Sequence, residues 1–176
     1  VERSRGLGDV YKRQLYILTA AHVIARAVRV ETVNADGARH DAEIIAIDEA
    51  RDLAVLRVDQ PAPPIVFRRD DPEVGLHACA IANSFGLGLS FSCGVVSATH
   101  RRDVGFNAIE DFVQTDAAVN PGASGGALVD PQGRLIGLID GIFTKEADID
   151  AGVNFAVSVP CLLYTSTSPR DLSTSR

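Results

Sequence analysis

Apolar and polar residues along this chain change places over short runs, with turn formers between them, and only once at helical spacing. Tyr16-Ile17-Leu18-Thr19 is the first such run. Val28, Val30, Thr32 and Val33 make a mostly alternating one, and Asp36-Gly37 supplies a hairpin turn after it. His40 to Ile47 returns with Ala42, Ile44 and Ala46 on one side, and Leu53 to Val58 follows. Pro61-Ala62-Pro63-Pro64 ends local pairing, because proline lacks the ladder donor. Beyond the acidic stretch Asp70 to Glu73 the pattern predicts strands at His77 to Ala82, Phe91 to Ala98 and Phe112 to Thr115. It predicts three more at Ala127 to Val129, Leu135 to Ile142 and Val153 to Val157, with a turn at Pro131-Gln132-Gly133. One helical turn, Ala20 to Ala25, carries His22. Short strands at this spacing, with so little helix, predict an all-β barrel or sandwich rather than an α/β sheet.

The two ends change how composition is read. Ser4 to Gln14 reads SRGLGDVYKRQ, and Cys161 to Ser166 reads CLLYTS. The codons GAT GTG TAT AAG AGA CAG encode Asp9 to Gln14, and their reverse complement in another frame encodes Cys161 to Ser166. Such DNA resembles the transposon end used in sequencing libraries, although Thr167 departs from the expected proline. Residues 1–14 and 161–176 are therefore expected to be translated adapter and are set aside from fold reasoning; natural disordered tails are the alternative. The whole chain carries 17 basic and 23 acidic side chains, a net charge of −6. Leu15 to Pro160 keeps 11 against 20, a net −9. An acidic segment without a basic run argues against nucleic acid as a partner. No apolar stretch approaches the ~18 residues that span a bilayer. Cys79 and Cys93 lie in apolar, strand-like contexts, where packed thiols and a disulfide both fit.

The chemistry concentrates in three places. Pro121-Gly122-Ala123-Ser124-Gly125-Gly126-Ala127 holds a serine among glycines, Thr19-Ala20-Ala21-His22 ends a strand, and Arg51-Asp52 opens another. Each has a bland reading: a glycine turn, a structural histidine, and an aspartate capping or pairing with Arg51. In conjunction they are a candidate triad. A serine hydroxyl needs a base to take its proton, and the base needs a carboxylate to fix its tautomer. Order His22, Asp52, Ser124 is that of the chymotrypsin-type double barrel. The amides of Gly122 and Ser124 can converge on one point, the arrangement that holds the oxyanion of a tetrahedral intermediate.

At these residues the chain resembles the HtrA/Deg group of trypsin-like serine proteases. The resemblance runs through Ile17 to Ile24, Asp52 to Leu56, Asn83-Ser84-Phe85-Gly86-Leu87-Gly88, Gly94 to Ala98, Phe112 to Gly122 and Gly152 to Val157, in order. It implies two antiparallel β-barrels, the first over about 15–60, a crossing over 61–73 and the second over about 74–160. It also implies that the opening strands of the first barrel and the closing helix are missing, so that the isolated segment is poorly stable. It assigns His22 as general base, Asp52 as its orienter, Ser124 as nucleophile, and Gly122 and Ser124 as oxyanion donors. Ala118, six residues before Ser124, then falls at the base of the primary pocket, which implies a small aliphatic P1 residue and not lysine or arginine. Gly141 and Asp140 fall on the strand beside the substrate. The resemblance implies polypeptide substrates, unfolded or misfolded ones, with no metal or organic cofactor. It also implies a parent that is extracytoplasmic or periplasmic, homotrimeric and equipped with PDZ domains.

Three positions depart from the family pattern. Ala123 replaces a usual asparagine and removes side-chain hydrogen bonds that would brace the loop. Asn154 replaces a usual glycine in the strand walling the specificity pocket. Asp140 stands where neutral polar residues are usual; near Asp52 it would be pushed toward its neutral form, and on the rarity of unpaired buried aspartate it is expected to face solvent. Ala123 and Asp140 keep open the alternative of a catalytically impaired, protease-like binding domain.

Overall fold

The computed structural model describes residues 14–34, 36–60, 63–142 and 152–167. The first four strands are β1 (Gln14–Ala20), β2 (Val30–Val33), β3 (Arg39–Asp48) and β4 (Leu53–Asp59), with one helical turn, α1 (Ala21–Ile24), after β1. They form an antiparallel, four-stranded curled sheet in the order β1-β4-β3-β2. Strand β4 is central because its Leu53, Ala54, Leu56 and Val58 are all buried, as an alternating run with one filled face requires. Ile17, Ala54 and Leu56 pack beneath Ala21 and Ile24 of α1. The predicted turn at His22 is therefore held by the sheet it leaves.

The second half begins after the crossing, where Phe67 forms an isolated bridge to Leu135. Strands β5 (His77–Ala82), β6 (Ser90–Arg101), β7 (Phe112–Thr115), β8 (Ala127–Val129), β9 (Leu135–Ile142) and β10 (Asn154–Ser158) close into a barrel in the order β10-β7-β6-β5-β8-β9. Val96, Val113, Leu128, Ile136 and Ile139 fill its interior. Closure leaves this half without an exposed sheet edge. A closed barrel beside a curled half-barrel is the two-barrel, all-β architecture expected from the strand pattern.

The two halves share a core. Leu53, at the start of β4, is buried among Phe112, Leu138, Phe155 and Val157 of the barrel. Phe106, from the loop between β6 and β7, meets Phe112 and Phe155 edge-on, with centroids 6.1 Å and 5.6 Å apart. That aromatic cluster anchors the loop that will reach the site.

Two features go beyond the sequence reading. Cys79 and Cys93 face each other in the β5–β6 register, Cα atoms 4.1 Å apart, and form a disulfide. A short helix, α2 (Val159–Thr167), follows β10 and runs into the residues expected to be translated adapter. Val159, Cys161 and Leu162 are buried against the shared core of Leu135, Phe112 and Val157. Apolar residues just beyond β10 find an apolar surface there.

His100 ties three segments together. Its Nδ1 lies 2.9 Å from Asp111 and its Nε2 3.1 Å from Asp71 of the crossing, while Ser158 of β10 donates to Asp111 at 2.7 Å. Hydrogen bonding to Asp111 and then to Asp71 raises the His100 pKa above its ordinary 6.5. A raised histidine contributes stability that is complete below its unfolded value and lost as pH rises through the folded one. His100→Gln is therefore expected to lower the melting temperature more at about pH 6 than at about pH 9, read by thermal denaturation at both.

Candidate active site

Strand β1 delivers His22 to the seam between the halves, and the β3–β4 turn delivers Asp52. Asp52 accepts twice from the same residue: the backbone N–H of His22 donates to its Oδ1 at 2.8 Å, and His22 Nδ1 is in direct hydrogen-bond contact with its Oδ2. The Ala21 amide donates to the Asp52 carbonyl at 3.0 Å. Asp52 is a non-glycine residue with φ +54°, a conformation that costs energy unless its surroundings over-determine it. These bonds do so. Asp52 is nearly buried, and the His22 side chain is about half exposed at 51%. With Nδ1 engaged by Asp52, the tautomer that donates from Nδ1 leaves Nε2 as an acceptor.

Ser124 comes from the second barrel. Its loop is stitched to β9 by the Gly125 amide on Ile139 O and the Ile139 amide on Gly126 O, both 2.8 Å. Gly125, at φ +81°, sits directly on the end of β1: a Cβ there would collide with Thr19 Oγ1 and stand 3.1 Å from the Ala20 amide. The Ser124 loop thus rests on the strand that leads into His22. Gly122, at φ +94°, approaches the turn Ser84–Gly86 so closely that a Cβ would stand 2.9 Å from Asn83 O. The Phe85 amide takes the Pro121 carbonyl at 2.8 Å. In a trans peptide the C=O and N–H point oppositely, so the Gly122 N–H is turned away from Phe85. Among the described residues, the amides of Ala123 and Gly126 also have backbone acceptors, whereas those of Gly122 and Ser124 have none. Ala123 is buried in the barrel core, and its amide on Asn120 O at 3.0 Å braces the loop by backbone alone.

Ser124 Oγ donates to the Asp140 carbonyl at 3.0 Å. This keeps the hydroxyl on the β9 side of the cleft, and no His22–Ser124 hydrogen bond is formed among the described residues. The cleft holds about 500 Å³ and is lined by His22, Glu49, Asp52, Phe106, Asn107, Asp140 and Gly141. Ala118 is exposed, and next to it Ala117 accepts a 2.9 Å bond from the fully buried Asn154 side chain.

Asp140 does not face solvent as expected. It is 7% exposed, and a ligand atom from each of His22, Asp52 and Asp140 lies within 4.8 Å of the others. The expectation rested on Asp140 having no partner, and it has one: Asn107 Nδ2 donates to its Oδ2 at 2.7 Å. Burial first, and then Asp52, raise its pKa to about 7. Sequence reasoning missed Asn107 and the residue that sets it. Glu110 accepts the amides of Val104, Gly105, Phe106 and Asn107, and those bonds hold its pKa down against the opposing effect of burial. Nothing in the local sequence pattern singles out a carboxylate that organises a loop through main-chain bonds. The His22, Asp52 and Asp140 set has the donor types of a cation site, but His22 Nδ1 and Asp52 are already joined to each other.

A family model for the trypsin-like peptidase domain matches residues 6–138. The chain is 38% identical over 167 residues to Protease Do-like 1, chloroplastic, of Arabidopsis thaliana, covering 90% of this chain and 38% of that protein. It is 35% identical over 145 residues to the periplasmic serine endoprotease DegP of Escherichia coli strain K12, covering 81% and 30%. Among solved structures it is similar to the HtrA-type protease AlgW with tripeptide, at TM-score 0.82 and 41% identity, covering 86% of this chain and 50% of that one. The chain spans about a third of the length of the curated relatives it matches.

Because Gly125 is both at positive φ and pressed on β1, Gly125→Ala is expected to destabilise the fold by about 1–3 kcal/mol. Chemical denaturation at neutral pH measures this; an unchanged midpoint would mean the loop does not rest on Thr19 and Ala20.

Proposed function

The chain belongs to the trypsin-like peptidase family, among its HtrA-type serine proteases, and from that premise we propose that it hydrolyses peptide bonds through an acyl-enzyme on Ser124. His22 Nε2 takes the Ser124 proton as Oγ attacks the substrate carbonyl. Asp52 keeps His22 in the tautomer that leaves Nε2 free and stabilises the imidazolium that forms. The Gly122 and Ser124 amides, both without acceptors among the described residues, receive the oxyanion. His22 then returns the proton to the leaving amine, and water repeats the sequence to release the acid. The observation that carries this reading is the double hold of Asp52 on His22, which commits one ring nitrogen and frees the other.

The substrates proposed are polypeptides, with unfolded or misfolded chains as the physiological class, met in an extracytoplasmic compartment. A homotrimeric parent with PDZ domains belongs to the same proposal. At the position proposed for the base of the primary pocket, Ala118 offers no carboxylate to a basic side chain, and the Asn154 amide bonds to Ala117 beside it. A small aliphatic P1 residue follows.

The competing reading is an impaired, protease-like binding domain. It is favoured by one observation, the Ser124 hydroxyl bonded to Asp140 O and not to His22. A fluorophosphonate probe separates the two: an activated serine labels, and Ser124→Ala abolishes labelling. His22→Ala is expected to slow labelling or peptide hydrolysis roughly 10⁴-fold or more, as for other triad bases. Absence of labelling in the unaltered protein selects the binding-domain reading. In a P1-scanned peptide library, Asn154→Gly is expected to shift preference toward larger apolar P1 residues; a switch to arginine, or no change, would overturn the pocket assignment.

A further inference from the structure

Asp140 supplies a carboxyl group where only one negative charge fits. The three faces around it are occupied. Asp52 and the exposed Glu49 come from the β3–β4 turn, His22 from α1, and Asn107 from the β6–β7 loop. Arg51 is directed away to Asp48 at 2.7 Å, and Glu110 is enclosed by main-chain amides, so neither neutralises Asp140. Both Asp52 oxygens already accept from His22. Asp140 receives one donor, from Asn107 to Oδ2, and a carboxyl oxygen of Asp140 lies within 4.8 Å of one of Asp52. Two carboxyl groups this close and this buried favour a state with one proton between them. The hydrogen-bond inventory puts that proton on Asp140.

We propose that Asp140 is a positioning residue for Asp52: protonated, it donates to the Asp52 carboxylate and fixes it against His22, and on losing its proton to solvent it repels Asp52 and loosens that pair. The proposal rests on the His22–Asp52–Ser124 reading above. A neutral polar side chain at this position would perform the same orientation at every pH, whereas an aspartate performs it only while it keeps its proton. Burial and Asp52 together bring that loss to about pH 7. The chain therefore carries a built-in loss of activity on the alkaline side, within the range where an ordinary triad gains from a neutral histidine.

Asp140→Asn is the isosteric test, because its carboxamide can accept from Asn107 and donate to Asp52 without titrating. Two pH units above a midpoint near 7, about 1% of molecules retain the Asp140 proton. For the full chain hydrolysing a small-P1 peptide, kcat/KM is expected to fall by at least about tenfold between pH 7 and pH 9. In Asp140→Asn and Asp140→Thr the same ratio is expected to stay within about twofold. Equal alkaline limbs in the unaltered protein and both variants overturn the proposal. A second measurement does not need activity: carbon-13 carboxyl titration in Ser124→Ala protein. It is expected to show a step near pH 7 that disappears in Ser124→Ala with Asp140→Asn; titration of both carboxyls below about pH 5 overturns the proposal. If fluorophosphonate labelling fails while this titration step is present, the protease reading falls and the shared proton stands.

Discussion

Asp52 holding both the main chain and the ring of His22 is the contact on which the site depends. It joins the strand end of β1 to the turn before β4, two segments brought side by side by the β1–β4 pairing. The same residue closes a third bond, from Ala21, and sits at a positive φ that these bonds enforce. Leu53, the next residue, is buried in the core shared with the barrel. The orientation of the histidine is thus tied to the packing of the two halves, and a change in either is felt by the other.

The nucleophile side is built on a different principle. Apart from the Ser124 hydroxyl on Asp140 O, its described bracing is main-chain, since Ala123 is turned into the barrel core. Main-chain bonds to β9, the Phe85 amide on Pro121 and the close approach of Gly125 to Thr19 take over that role. These same constraints leave the Gly122 and Ser124 amides without acceptors among the described residues, and they are the donors the proposed chemistry needs. Glycine is required by contact here and not only by flexibility.

Much of this was legible in the chain. Period-two runs marked the strands because each has one buried face, and the pairings followed from turns such as Asp36-Gly37. His22, Asp52 and Ser124 stood out because their residue types, order and local glycine setting all pointed to one chemistry. What was not legible depends on contacts between distant segments. Asp140 was expected in solvent because its partners, Asn107 and Asp52, are 33 and 88 positions away in sequence. Cys79 and Cys93 could be paired only once the β5–β6 register placed them opposite each other. Helix α2 runs from Val159 into residues set aside on the origin of their codons, and codon origin does not report on the burial of Leu162.

The account stands or falls on the state of His22 before any substrate arrives. Proton NMR of the free protein at neutral pH reads it directly through the Nδ1–H resonance. A hydrogen bond from His22 Nδ1 to Asp52 predicts a signal well downfield of the amide envelope, retained in Ser124→Ala and lost in Asp52→Ala. A spectrum without such a signal, or one in which Asp52→Ala leaves it unchanged, would contradict the arrangement described here.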